Sequence, residues 1–215
     1  MALDLADRIV MAIGLFYAMP VNMIQKQNIP NYLTTLRVVV IPLLLAVYFI
    51  PDGLGNWLAA ALFVIAGISD FFDGYLARRW EVQSSFGRFL DPIADKLLIA
   101  AILMLLVEVR VIYGWHFLPA LAILCREILV SGLREFLGEL QVVVPVTKLA
   151  KWKTAAQMLA LFILLLGPVT PAWLGGEIGG LLLLWTAALL TLYTGYNYLQ
   201  HSVKYFTKEE GVQDG

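Results

Sequence analysis

Five stretches of this chain are apolar over close to the thickness of a lipid bilayer: Leu33–Ile50, Trp57–Phe72, Phe89–Val107, Tyr113–Val130 and Gly179–Leu199. A membrane-spanning helix takes about 20 mostly apolar residues. A weaker sixth stretch runs from about Lys153 to Val169. No internal repeat, low-complexity linker or soluble block separates them, so the pattern predicts one all-α membrane protein, a six-transmembrane-helix bundle. Composition agrees: 60% of the residues are hydrophobic and 14% charged, against about 25% charged in soluble domains. The net charge of −1 gives no reason to expect a nucleic-acid partner. The single cysteine, Cys125, lies in an apolar run and cannot form an internal disulfide.

The first 28 residues read differently. Ile9 to Pro20 is apolar but too short to span comfortably. Asp4 and Asp7 precede it, where a secretory signal calls for positive charge. Residues 1–28 are therefore expected to form an amphipathic helix at the membrane interface, with a cleaved signal or an extra span as the alternative. Residues 29–205 form the bundle and 206–215 a C-terminal tail.

Lysine and arginine set the orientation. Arg8, Lys26, Arg78, Arg79, Arg88, Arg134, Lys148, Lys151, Lys153, Lys204 and Lys208 fall on one side, while the opposite loops carry only Arg110. The positive-inside rule puts both termini and the basic loops in the cytoplasm, and six spans agree with both ends lying on one side.

The segment from Asp70 to Asp95, DFFDGYLARRWEVQSSFGRFLDPIAD, carries the chemistry. Asp70 and Asp73 are three apart and Asp91 and Asp95 four apart, so each pair shares one face of a helix. One pair ends the second span and the other starts the third, so a short cytoplasmic hairpin can bring all four to one membrane surface. An ionised aspartate at a helix centre costs about 2.5–3.5 kcal/mol on insertion scales. Four together also repel, and oxygen ligands of this kind favour magnesium, manganese or calcium over zinc. The plainer alternative is solvated aspartates, or ion pairs with Arg78, Arg88 and Lys96. Gly74 and Ala77 leave room for a ligand or for a neighbouring helix.

The pattern Asp-x2-Asp-Gly-x2-Ala-Arg-x8-Gly-x3-Asp-x3-Asp is filled by Asp70, Asp73, Gly74, Ala77, Arg78, Gly87, Asp91 and Asp95. It resembles the defining motif of the CDP-alcohol phosphatidyltransferase family. The resemblance implies that Asp70, Asp73 and Asp91 hold metal, two magnesium ions with manganese as an alternative. It makes Asp95 the general base, also touching the second ion. Asp70, Gly74, Ala77, Arg78 and Ser84 would meet the CDP part of the lipid. Asn31 and Thr34 match the family's Asn-x2-Thr element, which helps bind CDP; helix capping by Asn31 is the ordinary alternative. The resemblance also implies a homodimer in the bacterial inner membrane.

With these parts, the acceptor hydroxyl would give its proton to Asp95 and attack the phosphorus attached to diacylglycerol, and CMP would leave. No serine, cysteine or histidine has the neighbours of an activated nucleophile, and His116 and His201 read as structural. The expectation is a single displacement. For the acceptor, Arg126 and Arg134 lie eight apart on span four, Lys151 and Lys153 open span five, and Arg37 lies within span one. Glu127 and Glu135 each follow an arginine directly, and adjacent residues on a helix do not face each other. An anionic, phosphate-bearing acceptor therefore accounts for the positive charge better than anionic lipid headgroups do. The segments around Arg126–Glu135 and Lys151–Thr154 are similar to those of the phosphatidylglycerophosphate-forming branch of the family. That implies sn-glycerol 3-phosphate as acceptor for CDP-diacylglycerol. Inositol phosphate or phosphatidylglycerol as acceptor are the competing readings, and further off a cation channel or transporter, which would spread its acids along a path instead of concentrating them at one face.

Overall fold

A computed structural model describes the backbone of residues 29–80, 85–140, 142, 148–171, 173 and 175–213, and the side chains of 35–70, 90–140, 142, 149, 151–171, 173 and 175–202. The expected interfacial segment 1–28 lies outside these residues. All six expected spans fold as helices: α1 Ile29–Tyr48, α2 Leu54–Trp80, α3 Ser85–Glu108, α4 Phe117–Glu139, α5 Lys148–Leu166 and α6 Gly176–Gln213. Single 3-10 turns at Gly114–His116 and Gly167–Val169 lead into α4 and out of α5. No strand occurs among the described residues.

Several helices run past the expected spans at their basic ends. α2 continues to Trp80 instead of stopping near Phe72, α4 to Glu139 instead of Val130, and α6 to Gln213 instead of Leu199. α5 starts at Lys148 instead of Lys153 and turns 3-10 at Gly167. Hydropathy marks only the lipid-embedded part of a helix. Arg, Lys, Glu and Gln sustain a helix well in water, so the helix goes on where the apolar run stops. α6, at 38 residues, is about 57 Å long and reaches well beyond a hydrocarbon core of about 30 Å. Residues 206–213, expected as a tail, continue it as helix.

Among the described residues, three segments are long and apolar enough to cross a membrane by length and composition: Gly114–Glu139, Lys151–Val169 and Gly176–Ser202. Thr35–Tyr48 and Leu54–Asp70 are shorter apolar helices. α3 carries Asp91, Asp95, Lys96 and Glu108 within its length. Large apolar side chains such as Met104, Ile128, Leu182 and Leu189 stay exposed on the outside of the bundle, as expected of a surface that faces lipid. The chain is a multi-pass helical membrane protein.

The turn between α1 and α2 is tight. Asp52 and Gly53 take positive φ of 62° and 74°. A Cβ at Gly55 would stand 2.5–2.6 Å from the carbonyl oxygens of Val47, Tyr48 and Ile50, so only glycine lets α2 begin against the end of α1.

The helices pack unevenly along their length. α5 packs most extensively on α6, α1 on α2 and α3, and α4 on α6. The buried core takes Val40–Tyr48 of α1, Ala59–Ala66 of α2, Leu98–Leu106 of α3, Ala120 and Ile123 of α4, Ala160–Leu166 of α5 and Leu181–Ala188 of α6. Because the helices alternate in direction, these segments all lie toward the end that holds the poorly charged loops. Asn56 Nδ2 donates to the Leu165 carbonyl there, at 2.9 Å. Toward the basic end the helices part and leave a cleft.

Candidate active site

One wall of the cleft carries two acids, Asp70 and Asp95, and two cations, Arg37 and Lys96. Asp95, on α3, accepts from Arg37 Nη1 of α1 at 2.6 Å, and Asp70, on α2, forms an ion pair with the same nitrogen at 3.0 Å. The Arg37 side chain is wholly buried, while the two aspartates are each about half exposed (46% and 49%). A guanidinium with no access to water needs carboxylate partners. Arg37 therefore ties three helices together and draws the two acids to one point. It was expected to bind acceptor phosphate; the structure places it on the aspartates. Asp91 stands one turn before Asp95 and is partly buried. Asp73, Gly74, Ala77 and Arg78 belong to the last turns of α2 and Thr34 to the first turns of α1, but their side chains lie outside the described ones, as does Ser84 altogether. α1 begins at Ile29, so Asn31 stands within the first helical turn and not at the cap.

The other wall is mainly basic. Arg126 and Arg134 of α4 and Lys151 and Lys153 of α5 line it, together with Glu127 and Glu135. Lys153 is buried and pairs with Glu127 Oε1. Arg126 Nη1 lies 3.4 Å from the same oxygen, and its Nη2 donates to Thr194 Oγ1 of α6 at 3.3 Å. This corrects the expectation that Glu127 does not face the adjacent Arg126. Its nearer partner is Lys153, on the facing helix α5, and Arg126 approaches the shared oxygen less closely. One carboxylate thus pairs with two of the four cations on this wall. Arg134 is exposed, with its guanidinium carbon 5.8 Å from the centre of the Tyr198 ring, a cation–π distance.

The two walls enclose about 810 Å3, reaching from Arg37, Asp70 and Asp95 to Arg126, Lys151 and Lys153. That is the size of a site for a substantial ligand. The two histidines stand away from it. His116 Nδ1 accepts from Trp185 Nε1 at 3.0 Å, and His201 Nδ1 bonds the Asn197 carbonyl at 2.7 Å. Both fit the structural role expected of them.

The family model for CDP-alcohol phosphatidyltransferases matches residues 27–193, most of the chain. The chain belongs to the CDP-alcohol phosphatidyltransferase family. Among its relatives is the CDP-diacylglycerol–glycerol-3-phosphate 3-phosphatidyltransferase of Rickettsia felis, 48% identical over 84% of this chain and 98% of the relative. Proteins of the same name from Haemophilus influenzae and Cereibacter sphaeroides are 41% and 38% identical, covering 81% and 85% of this chain and 93% and 99% of their own length.

CDP-alcohol phosphatidyltransferases generally depend on a divalent metal. Among the described residues no group of three acidic, histidine or cysteine side chains is close enough to hold an ion together. The motif's remaining acid, Asp73, has its side chain outside them. The residues that are described fit such an ion. Asp70 and Asp95 offer hard oxygen donors that already share one cationic group and keep a half-exposed face.

Two participants were not singled out in the sequence. Thr194 holds Arg126, and nothing short of the α4–α6 contact identifies it. Gln157 lines the cleft from α5, buried, with its Oε1 lacking a hydrogen-bond partner among the described residues. It lies four residues after Lys153, so an amide on the face of a functional lysine within an apolar helix was a usable signal.

Proposed function

We propose that this protein transfers the phosphatidyl group of CDP-diacylglycerol to sn-glycerol 3-phosphate, giving phosphatidylglycerophosphate and CMP in one displacement. The observation that carries the reading is a cleft that sets Asp70 and Asp95, beside Arg37 and Lys96, opposite a wall on α4 and α5 where four cations outnumber Glu127 and Glu135. A CDP-lipid and a phosphate-bearing alcohol need those two kinds of surface side by side. The names of the relatives agree with it.

In this reading Lys153, Arg126, Arg134 and Lys151 bind the acceptor's phosphate, and Glu127 orients Lys153 and Arg126. Arg37 positions Asp70 and Asp95. Asp95 accepts the proton of the attacking primary hydroxyl. That oxygen forms a bond to the phosphorus bearing diacylglycerol, and the bond from this phosphorus to the oxygen of CMP breaks, with the electron pair leaving on CMP. Asn31, Thr34, Gly74, Ala77, Arg78 and Ser84 hold the CDP end. Asp70, Asp73 and Asp91, with Asp95 at the second ion, would hold two magnesium ions, which supply charge neutralisation to the pyrophosphate and to departing CMP. The protein works as a homodimer in the bacterial inner membrane, with its termini and cleft toward the cytoplasm, where soluble acceptor is available.

The test is CMP release by the purified protein in lipid nanodiscs, with CDP-diacylglycerol, magnesium and a panel of acceptors. Release is expected with sn-glycerol 3-phosphate and much less with inositol phosphate or phosphatidylglycerol. A preference for another acceptor would move the protein to a sister activity, and no release with any acceptor would sink the reading.

A further inference from the structure

The floor of the cleft carries one polar group that the reaction as described leaves unused. Gln157 follows Lys153 by one turn of α5, so the two side chains leave the helix on one face. Gln157 is 4% exposed and Lys153 6%. The Gln157 Oε1 is buried with no hydrogen-bond partner among the described residues. Its companions in the floor are small or apolar: Ala66, Gly67, Leu98 and Met158. Gly67, one turn before Asp70 on α2, brings that helix close to α5; a Cβ there would stand 2.9 Å from Met158 Cε. Gln157 thus lies in the cleft that holds Lys153 on its own helix and Asp70 on the facing one.

Folded proteins satisfy nearly all their buried polar atoms, and an amide oxygen can only accept. Its complement here is an O–H or N–H brought in from outside. A glycerol phosphate supplies one. Its phosphate matches the cations, its reacting primary hydroxyl goes to Asp95, and its middle hydroxyl is the remaining donor. The other uncharged polar side chains lining the cleft are less suited. Ser131 donates to Glu135 Oε1 at 3.5 Å, and Thr154 is exposed.

We propose that Gln157 Oε1 accepts a hydrogen bond from the middle, non-reacting hydroxyl of the acceptor, making Gln157 a specificity-determining residue. The inference rests on glycerol phosphate being the acceptor. It gives the ligand three fixed points: phosphate on Lys153 and Arg126, middle hydroxyl on Gln157, reacting hydroxyl on Asp95. Three points at one stereocentre distinguish sn-glycerol 3-phosphate from its mirror image.

The experiment compares sn-glycerol 3-phosphate with 3-hydroxypropyl phosphate, which keeps the phosphate and the primary hydroxyl and lacks the middle one. CMP release is measured with the full-length wild type and with Gln157→Met, at saturating CDP-diacylglycerol. A site built around a substrate hydroxyl rejects the analogue lacking it, so wild-type kcat/KM is expected to be at least about tenfold lower for the analogue. In Gln157→Met that ratio is expected to fall within about threefold of unity, through loss of activity on the natural acceptor, with the KM for CDP-diacylglycerol unchanged. The ratio is internal to each preparation, so partial misfolding does not move it, and Gln157→Ala gives the same reading where the methionine variant fails to accumulate. An unchanged ratio in the variant overturns the proposal, as does an effect confined to the KM for CDP-diacylglycerol. Equal use of both acceptors by the wild type overturns it while leaving the proposed activity standing. Absence of release with sn-glycerol 3-phosphate removes the activity itself and the proposal with it.

Discussion

Asp95 and Arg37 share a hydrogen bond of 2.6 Å, yet their substitution should have different consequences. Asp95→Asn keeps the size of the side chain and its carbonyl oxygen, and removes the basic site. Turnover should fall by about 10^2–10^4-fold, while CDP-lipid binding, followed by fluorescence or calorimetry, stays close to wild type. Normal turnover would exclude Asp95 as the base. Arg37→Met removes a buried cation and leaves Asp70 and Asp95 facing one another. Breaking a fully buried pair costs about 3–5 kcal/mol; the half-exposed carboxylates reduce this to about 1–3 kcal/mol, since water screens them. A divalent ion between the acids should replace part of the lost charge. The rise in melting temperature on adding magnesium should therefore be larger for Arg37→Met than for the wild type. An equal rise in both would mean that the ion and Arg37 do not act on the same pair.

At the scale of the helices, the turn from α1 to α2 aims Asp70. Gly55→Ala would drive a Cβ into three backbone carbonyls that have no rotamer to escape by. Overpacking of this kind costs about 1–3 kcal/mol, and a backbone obstacle puts the expected loss at the upper end, visible as a lower melting temperature. Activity should fall with it, because α2 carries Asp70 from this pivot. Full stability in Gly55→Ala would show that the turn can open freely. The helices themselves were legible in the sequence, because lipid demands long apolar runs. Their basic ends were not, because a helix outside the bilayer loses its hydropathy signal and keeps its hydrogen bonds. The aspartate site was legible through fixed local spacing. The Arg37–Asp95 pair spans 58 positions and Lys153–Glu127 spans 26, and only packing decides such partners. The adjacency of Arg126 and Glu127 misled for the same reason: what matters there is the facing helix, not the neighbour in the chain.

For the whole molecule, the consequence is a gradient of order from one membrane face to the other. The buried core occupies the second half of α1, α3 and α5 and the first half of α2, α4 and α6. The cleft lies mainly in the complementary halves, with Arg37, Asp95, Lys151 and Lys153 early in odd-numbered helices, Asp70 and Arg134 later in even-numbered ones, and Arg126 near the middle of α4. A packed end and an open end suit an enzyme that holds a lipid while admitting soluble acceptor. Backbone opening is easiest where few apolar contacts resist it. Hydrogen exchange in nanodiscs should therefore be faster in Asp91–Lys96 than in Leu98–Leu106 of α3, and faster in Lys151–Thr154 than in Ala160–Leu166 of α5. In α2 and α4 the order along the chain should reverse, with later segments exchanging faster. Adding CDP-diacylglycerol and magnesium should slow the cleft halves selectively, because ligand fills the cleft and ties α2 to α3. Exchange that follows chain direction instead of membrane side, or protection spread evenly over both halves, would contradict a bundle closed at one end and open at the other.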